Sequence, residues 1–359
     1  MNKPELDFLK SHPTYAFRTI SGFYPLTGEM LRKYRNVLFW DCICENESID
    51  WSSGLILAFL KYFKEDNKKI NSLLHFNPKL PWSVEFIKQF ETLWYWDILG
   101  EKAEIKNSAE IQQSFKKYLE PVNAWIASND LRAKTHDSDK FWKKRYQAEP
   151  WLLYTTRHQI ESDKKIDWVS LSSSDHLKWT HDFIRDYQDK LNWQALSCNT
   201  SIHWTNEMIF EFQDKIFWGG LEVTFNKQGK EKTFIDPGFT IFSNKCWTPD
   251  EIELFHDKID WYTLSINENS CQWSYNLLTT HEKFIDFDAL GGNRQAWVDC
   301  FGKLTDEEVE SILANKEMQS KVEYPKEPEY EDEEEASHSR IPFCMTFEYF
   351  LMKQKQITT

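Results

Sequence analysis

Seven cysteines and ten histidines are the residues of this 359-residue chain with the widest chemistry, and their spacing supports little of it. Cys42 and Cys44 form a C-x-C, but a structural zinc site needs a second pair, and no C-x-x-C occurs. His176, His181 and His203 lie close in sequence without an H-E-x-x-H or a paired carboxylate to make them ligands or bases. Three Asp-Lys pairs, Asp189-Lys190, Asp214-Lys215 and Asp257-Lys258, have the composition of acid-base couples. Catalysis needs one site, however, and these recur. No G-x-S-x-G, phosphate-binding glycine loop or dinucleotide fingerprint is present. The sequence therefore predicts no catalytic residue, no metal site and no cofactor.

Two segments have the chemistry of binding instead. In KFWKKRYQAEPW, Lys140, Lys143, Lys144 and Arg145 interleave with Trp142, Tyr146 and Trp151, a basic and aromatic combination suited to phosphate, to an acidic protein or to the chain's own acidic tail. In EVTFNKQGKEKTFI, Phe225, Lys227 and Lys230 flank a glycine between alternating segments, the pattern of a β-hairpin.

What positions these segments is a repeat. Trp168, Trp193 and Trp218 are spaced by 25 residues, and Trp179 and Trp204 follow the first two by 11. Aligned on this second series, units begin at Leu26, Trp51, Trp82, Asn107, Tyr154, Trp179, Trp204, Trp247, Trp273 and Leu304. After the aligned position comes a hydroxyl, at Thr27, Ser52, Ser83, Thr180, Thr205, Thr248, Ser274 and Thr305, and then commonly an acid two residues on, which marks a helix start. Apolar residues follow at +5, +8 and +12, as in Ile184, Tyr187 and Leu191, so a helix of about three turns with one buried face is expected. The Asp-Lys pairs would end it, with lysine at the negative end of the dipole. The first half of each unit, W-x-x-L-S-x-N-x-x-I, suggests a short helical turn opened by Asp167, Asn192 or Asp260, then a bend at Asn46, Asn77, Asn199 or Asn267.

One such unit cannot bury its tryptophans alone, so the expected fold is all-α: an α-solenoid of about ten short Trp-containing helical repeats. A leucine-rich-repeat coil is the weaker alternative, because no period-two alternation accompanies the leucines. Cys44 occupies the slot of Ser172, Ser197 and Ser265, so a small buried side chain explains it. His281 stands at a +8 core position. An acidic chain whose Trp residues are in phase with Ile, Leu and Phe buries them rather than offering them to bases, so nucleic acid is disfavoured as a partner. Twelve of the 17 Trp fall on the two series; Trp94 fills a +12 slot, while Trp125, Trp142 and Trp151 cluster where the period breaks.

The organisation expected is an N-terminal cap over 1–23, the solenoid over 24–317 with insertions near 120–151 and 222–242, an acidic linker over 318–340 and an apolar tail over 341–359. Of the net charge of −14, the stretch Glu323 to Glu335 supplies half. With no signal-like N-terminus and no apolar run of membrane length, a cytoplasmic protein off the membrane is expected, with reduced thiols.

The pattern L-S-x-N-x-x-I-x-W-T-x-E-x-I-x-x-F-x-D-K-x-x-W, best developed from Trp168 to Trp261, resembles tryptophan-rich repeats of about this length in bacterial proteins of uncharacterised function, notably from Bacteroidota. The resemblance covers most of residues 24–313, weakens around 107–165, and implies a scaffold with no active site to carry over. The function expected is a non-enzymatic, protein-binding scaffold, of which an immunity or antitoxin-type protein neutralising a basic toxin or nuclease is one form. The alternative is an enzyme or nucleic-acid-processing accessory with a site built in the insertions.

Overall fold

The structure is a computed structural model that describes residues 3–65, 69–70, 72–124, 146–219, 221–227, 230–236, 240–243 and 245–324. Most of these residues are helical. Met1–Val322 form one compact unit and Glu323–Thr359 a second.

The repeated sequence produces a repeated pair of elements. In one of the clearest examples, Asn192 caps the short helix Trp193–Ser197 by accepting from the Ala195 N–H. The chain then bends at Asn199, and Thr205 caps the helix Asn206–Phe212 by accepting from the Met208 N–H. All eight hydroxyls expected as caps make this bond to the third residue of their helix. Ser108 and Thr156 make it too. Thr248 and Thr305 complete capping boxes with Glu251 and Glu308, so the reciprocal bond satisfies a second free backbone donor. Counting from the cap, the fourth position is aliphatic and fully buried in unit after unit, as at Leu31, Ile56, Ile87, Ile184, Ile209, Ile252, Leu278 and Val309.

The capped helices are shorter than the spacing suggests. Asn206–Phe212 and His181–Tyr187 have seven residues each, about two turns rather than three. Beyond Phe212 the chain folds into a tight turn in which Lys215 and Ile216 both donate to the Phe212 carbonyl, at 2.8 and 3.0 Å. This turn, rather than a third helical turn, delivers Ile216 to the core. The Asp-Lys pairs therefore lie in the turns, where they join neighbouring units: Lys215 Nζ is 3.1 Å from Asp189, and Lys258 Nζ is 2.6 Å from Asp214.

Asparagine supplies a buried link between units. Asn199 Nδ2 donates to the Ser172 and Ser174 carbonyls of the preceding unit, at 3.0 and 2.9 Å. Asn46 does the same to Ser21 and Tyr24, Asn77 to Cys44 and Asn46, and Asn293 to Ser265 and Asn267. A side chain with two amide protons can serve both carbonyls at once, beside the tryptophan N–H that also reaches the Asn46 and Ser174 carbonyls. The serine of L-S-x-N adds a bond in the other direction: Ser172 Oγ accepts from the Asn192 N–H at 2.9 Å, and Ser197 Oγ from the Phe217 N–H at 2.9 Å.

Two antiparallel strand pairs interrupt the helices. Lys64–Glu65 pairs with Lys69–Ile70. Leu221–Lys227 pairs with Lys230–Asp236 in a register that sets Phe225 opposite Lys232 and Lys227 opposite Lys230, within the segment whose alternation predicts a hairpin.

The first 23 residues do more than cover one end. The helix Pro13–Phe23 packs on Trp40–Glu45, the next element of its own series, and also on Phe287–Leu290, Arg294–Phe301, Asp306–Leu313 and Lys316–Lys321. Phe8 lies 5.9 Å from Phe287, 6.1 Å from Phe301 and 5.9 Å from Tyr275, ring centre to ring centre. Tyr275 donates to the Pro4 carbonyl, and Tyr24 donates to Asp306. The first two and the last two described helices of the unit Met1–Val322 are thus packed together.

Candidate interaction surface

Of the residues singled out from the sequence, Lys140, Trp142, Lys143, Lys144 and Arg145 lie outside the described residues. Tyr146 is half-buried, its ring 6.2 Å from that of His176. Trp151 is buried within the 3₁₀ turn Pro150–Leu153, so its ring belongs to the core. Phe225, Lys227 and Lys230 lie on the long strand pair. The structure does not bring the two predicted segments into one described site.

The tryptophans divide into two environments. Those that precede the caps are interior at Trp51, Trp179, Trp204, Trp247 and Trp273 and half-buried at Trp82. Those that open the short helices are half-buried, and their faces are occupied: Tyr62 stacks on Trp40 at 4.5 Å, Tyr118 on Trp96 at 4.4 Å, and the ammonium groups of Lys190 and Lys215 lie over Trp168 and Trp193 at 5.1 and 5.7 Å. Rings covered in this way are not open platforms for a base or a sugar.

Burial also governs the thiols. It pushes Cys42 up to about 11 and Cys300 up to about 12, and Cys271 is raised further. Such thiols stay protonated and are poor nucleophiles and ligands. His281, packed 4.9 Å from the Trp261 ring, is lowered by burial. Among the described residues no three His, Cys, Asp or Glu side chains are grouped to hold a metal ion, and no helix is long and apolar enough to cross a membrane.

The outward side of the capped helices carries a regular contact between units. The fifth position of one helix meets the sixth or seventh of the next. Glu161 accepts from Tyr187 at 3.0 Å, Glu253 lies 3.4 Å from His281, and Arg185 forks onto Glu211 with bonds of 2.6 and 2.7 Å. The Arg185 bonds, with His181 adding a further one, hold the Glu211 carboxyl down to about 2. The last unit meets the first in the same register: Glu310, at the fifth position after Thr305, accepts from Tyr34, at the seventh after Thr27, at 3.1 Å, and from Lys33 at the sixth. Beside this junction lies a cleft of about 500 Å³ whose lining includes Tyr24, Arg294, Trp297, Val298, Lys303 and Leu304.

The second position of these helices is a surface acid in most units. Glu29, Glu85, Glu110, Glu207, Asp250 and Glu307 are all exposed, and none forms an ion pair among the described residues. The sequence shows these acids as cap signals, yet it does not disclose that they are exposed and without ion pairs among the described residues. A second feature was also passed over. Phe210 stands at +6 from Trp204 where the preceding unit has Arg185, and that break in the outward pattern is a readable signal.

Comparison with family models, with curated proteins and with solved structures finds no match.

Proposed function

We propose that this chain is a non-enzymatic scaffold of about ten stacked Trp-containing helical units, with its first unit following its last, and that it binds a basic protein partner. The observation that carries the proposal is that six of the ten units, including the consecutive pairs Glu85 with Glu110 and Glu207 with Asp250, present at the second helical position an exposed carboxylate with no ion pair among the described residues. A carboxylate there favours its own helix by about 0.3–1 kcal/mol. Repeated on stacked elements, the same groups also give a negative surface that steers a cationic partner into register. Stacked repeats suit such a task, since each unit is fixed by its neighbours and side chains on the outer helix positions are free to vary. Neutralisation of a basic toxin or nuclease by direct binding is the activity this surface would provide.

The test is native co-purification from the source cells with identification of the partner by mass spectrometry, repeated with the triple variant Glu85→Gln, Glu110→Gln, Glu207→Gln. A basic partner whose capture falls about ten-fold in the variant, with helix content unchanged by circular dichroism, supports the reading. A neutral or acidic partner, or capture of equal strength by the variant, overturns it.

A further inference from the structure

The contact between the fifth position of one capped helix and the sixth or seventh of the next is polar at each junction described above. The junction between Asn206–Phe212 and Pro249–Phe255 departs from that pattern. Lys258 on Asp214 repeats the link of Lys215 on Asp189, so these two helices are neighbours in the same register as His181–Tyr187 and Asn206–Phe212. In that register Phe210 takes the place of Arg185, and Leu254 takes the place of Glu211. Phe210 is 60% exposed and Leu254 55%, so an apolar pair stands in water where the preceding junction has a forked ion pair. Leu57, 48% exposed at the same fifth position, stands in register with Gln89 and forms no such pair.

The two helices themselves carry charge of one sign. The sequences of the two helices, NEMIFEF and PDEIELF, contain five carboxylates and no lysine or arginine. Glu211 is engaged by Arg185 and Glu251 by Lys245, which leaves Glu207 and Asp250 with no ion pair among the described residues and Glu253 67% exposed beside His281. Four other capped helices carry cations, Arg32 and Lys33, Lys88, Arg157 and Arg185. Two apolar anchors in an acidic field fit an amphipathic segment with aliphatic or aromatic residues on one face and lysine or arginine beside it. The long strand pair Leu221–Lys227 and Lys230–Asp236 lies in the connection between these same two helices.

We propose that Phe210 and Leu254 anchor a cationic amphipathic helix of the partner protein. This rests on the scaffold reading and assigns it a docking point. The probe is a fluorescein-labelled 14-residue peptide of leucine and lysine with leucine at helical i, i+3, i+4 and i+7 spacing, titrated with the full chain by anisotropy. The double variant Phe210→Ser, Leu254→Ser changes only surface side chains, so its melting should match that of the parent. The expected result is an affinity about ten-fold lower in the variant, with no such loss for Leu57→Ser. Equal affinity for parent and double variant, or equal binding of a scrambled peptide of the same composition, overturns the proposal. So does sedimentation showing that the parent is a dimer and the double variant a monomer, because a second copy would then cover the pair. If a basic partner co-purifies undiminished with the double variant, the docking point fails while the scaffold reading stands.

Discussion

The regular units around Trp168 to Trp218 and the junction of the first unit with the last are held together by different means. Between regular units the links are short-range in sequence, and the buried ones end on the backbone: Asn199 on two carbonyls and Ser172 Oγ on the Asn192 N–H. At the junction of the ends the serine slot is Gly291, where a Cβ would stand 2.8 Å from Arg18 Cδ, and the links run from tyrosine hydroxyls, to the Asp306 carboxylate and the Pro4 carbonyl, across some 270 to 290 residues. Phe8, His12, Tyr15, Tyr275, Phe287 and Phe301 form the aromatic cluster there. The regular units follow a local rule that each copy of the sequence can obey, whereas the junction is a particular solution found once.

The largest expected effect is on the junction. Phe8→Ala removes a buried ring from the cluster and should cost about 3–5 kcal/mol. Hydrogen exchange by mass spectrometry should then show loss of protection in both Gly28–Tyr34 and Asp306–Leu313, far apart in sequence. Loss confined to Lys3–Ser11 would show that the ends do not support each other.

Asn199→Ala tests the regular link. It removes the Asn199 donor from the buried Ser172 carbonyl and one of the donors to the Ser174 carbonyl, which keeps the Trp179 indole N–H, and should cost about 1–3 kcal/mol in a thermal melt. Exchange should rise in the units on either side of Asn199 and leave Lys3–Ser11 unchanged. Spread of the effect to both ends would erase the distinction between the two regions.

The smallest effect concerns the outer ion pairs. Arg185 holds Glu211 at about 2, below the ordinary value of roughly 4.3 for a glutamate. The unfolded chain therefore takes up this proton first as pH falls. The contribution is present above about 4.3 and is lost between there and about 2. Glu211 is exposed and screened, so the loss is modest. Arg185→Gln should reduce the difference between melts at neutral and acid pH, and an unchanged difference would remove the pair from the acid response.

The sequence discloses the regular units almost directly. Caps such as Thr180 and Thr248, and core positions such as Ile184 and Ile209, depend on neighbours within one turn, and that dependence recurs with the period. Helix length was misjudged because Ile216 satisfies a helical spacing from Phe212 while reaching the core from a turn. The meeting of the ends was not legible at all. Residues 1–23 contain no tryptophan, and nothing near Tyr24 or Lys33 in sequence announces Asp306 or Glu310. The candidate surface was half legible: the acids at Glu85 and Glu207 were visible as helix starts, but their alignment needed the register of one helix on the next.

The contact of Glu310 with Tyr34 bears on how such a chain can evolve. An open row of repeats tolerates gain or loss of a copy, because only one interface is added or removed. On the scaffold reading, a further copy would have to be accommodated between two ends already in contact, so copy number would be constrained and divergence would fall in segments that leave the row sideways, such as the strand pair between Trp218 and Trp247.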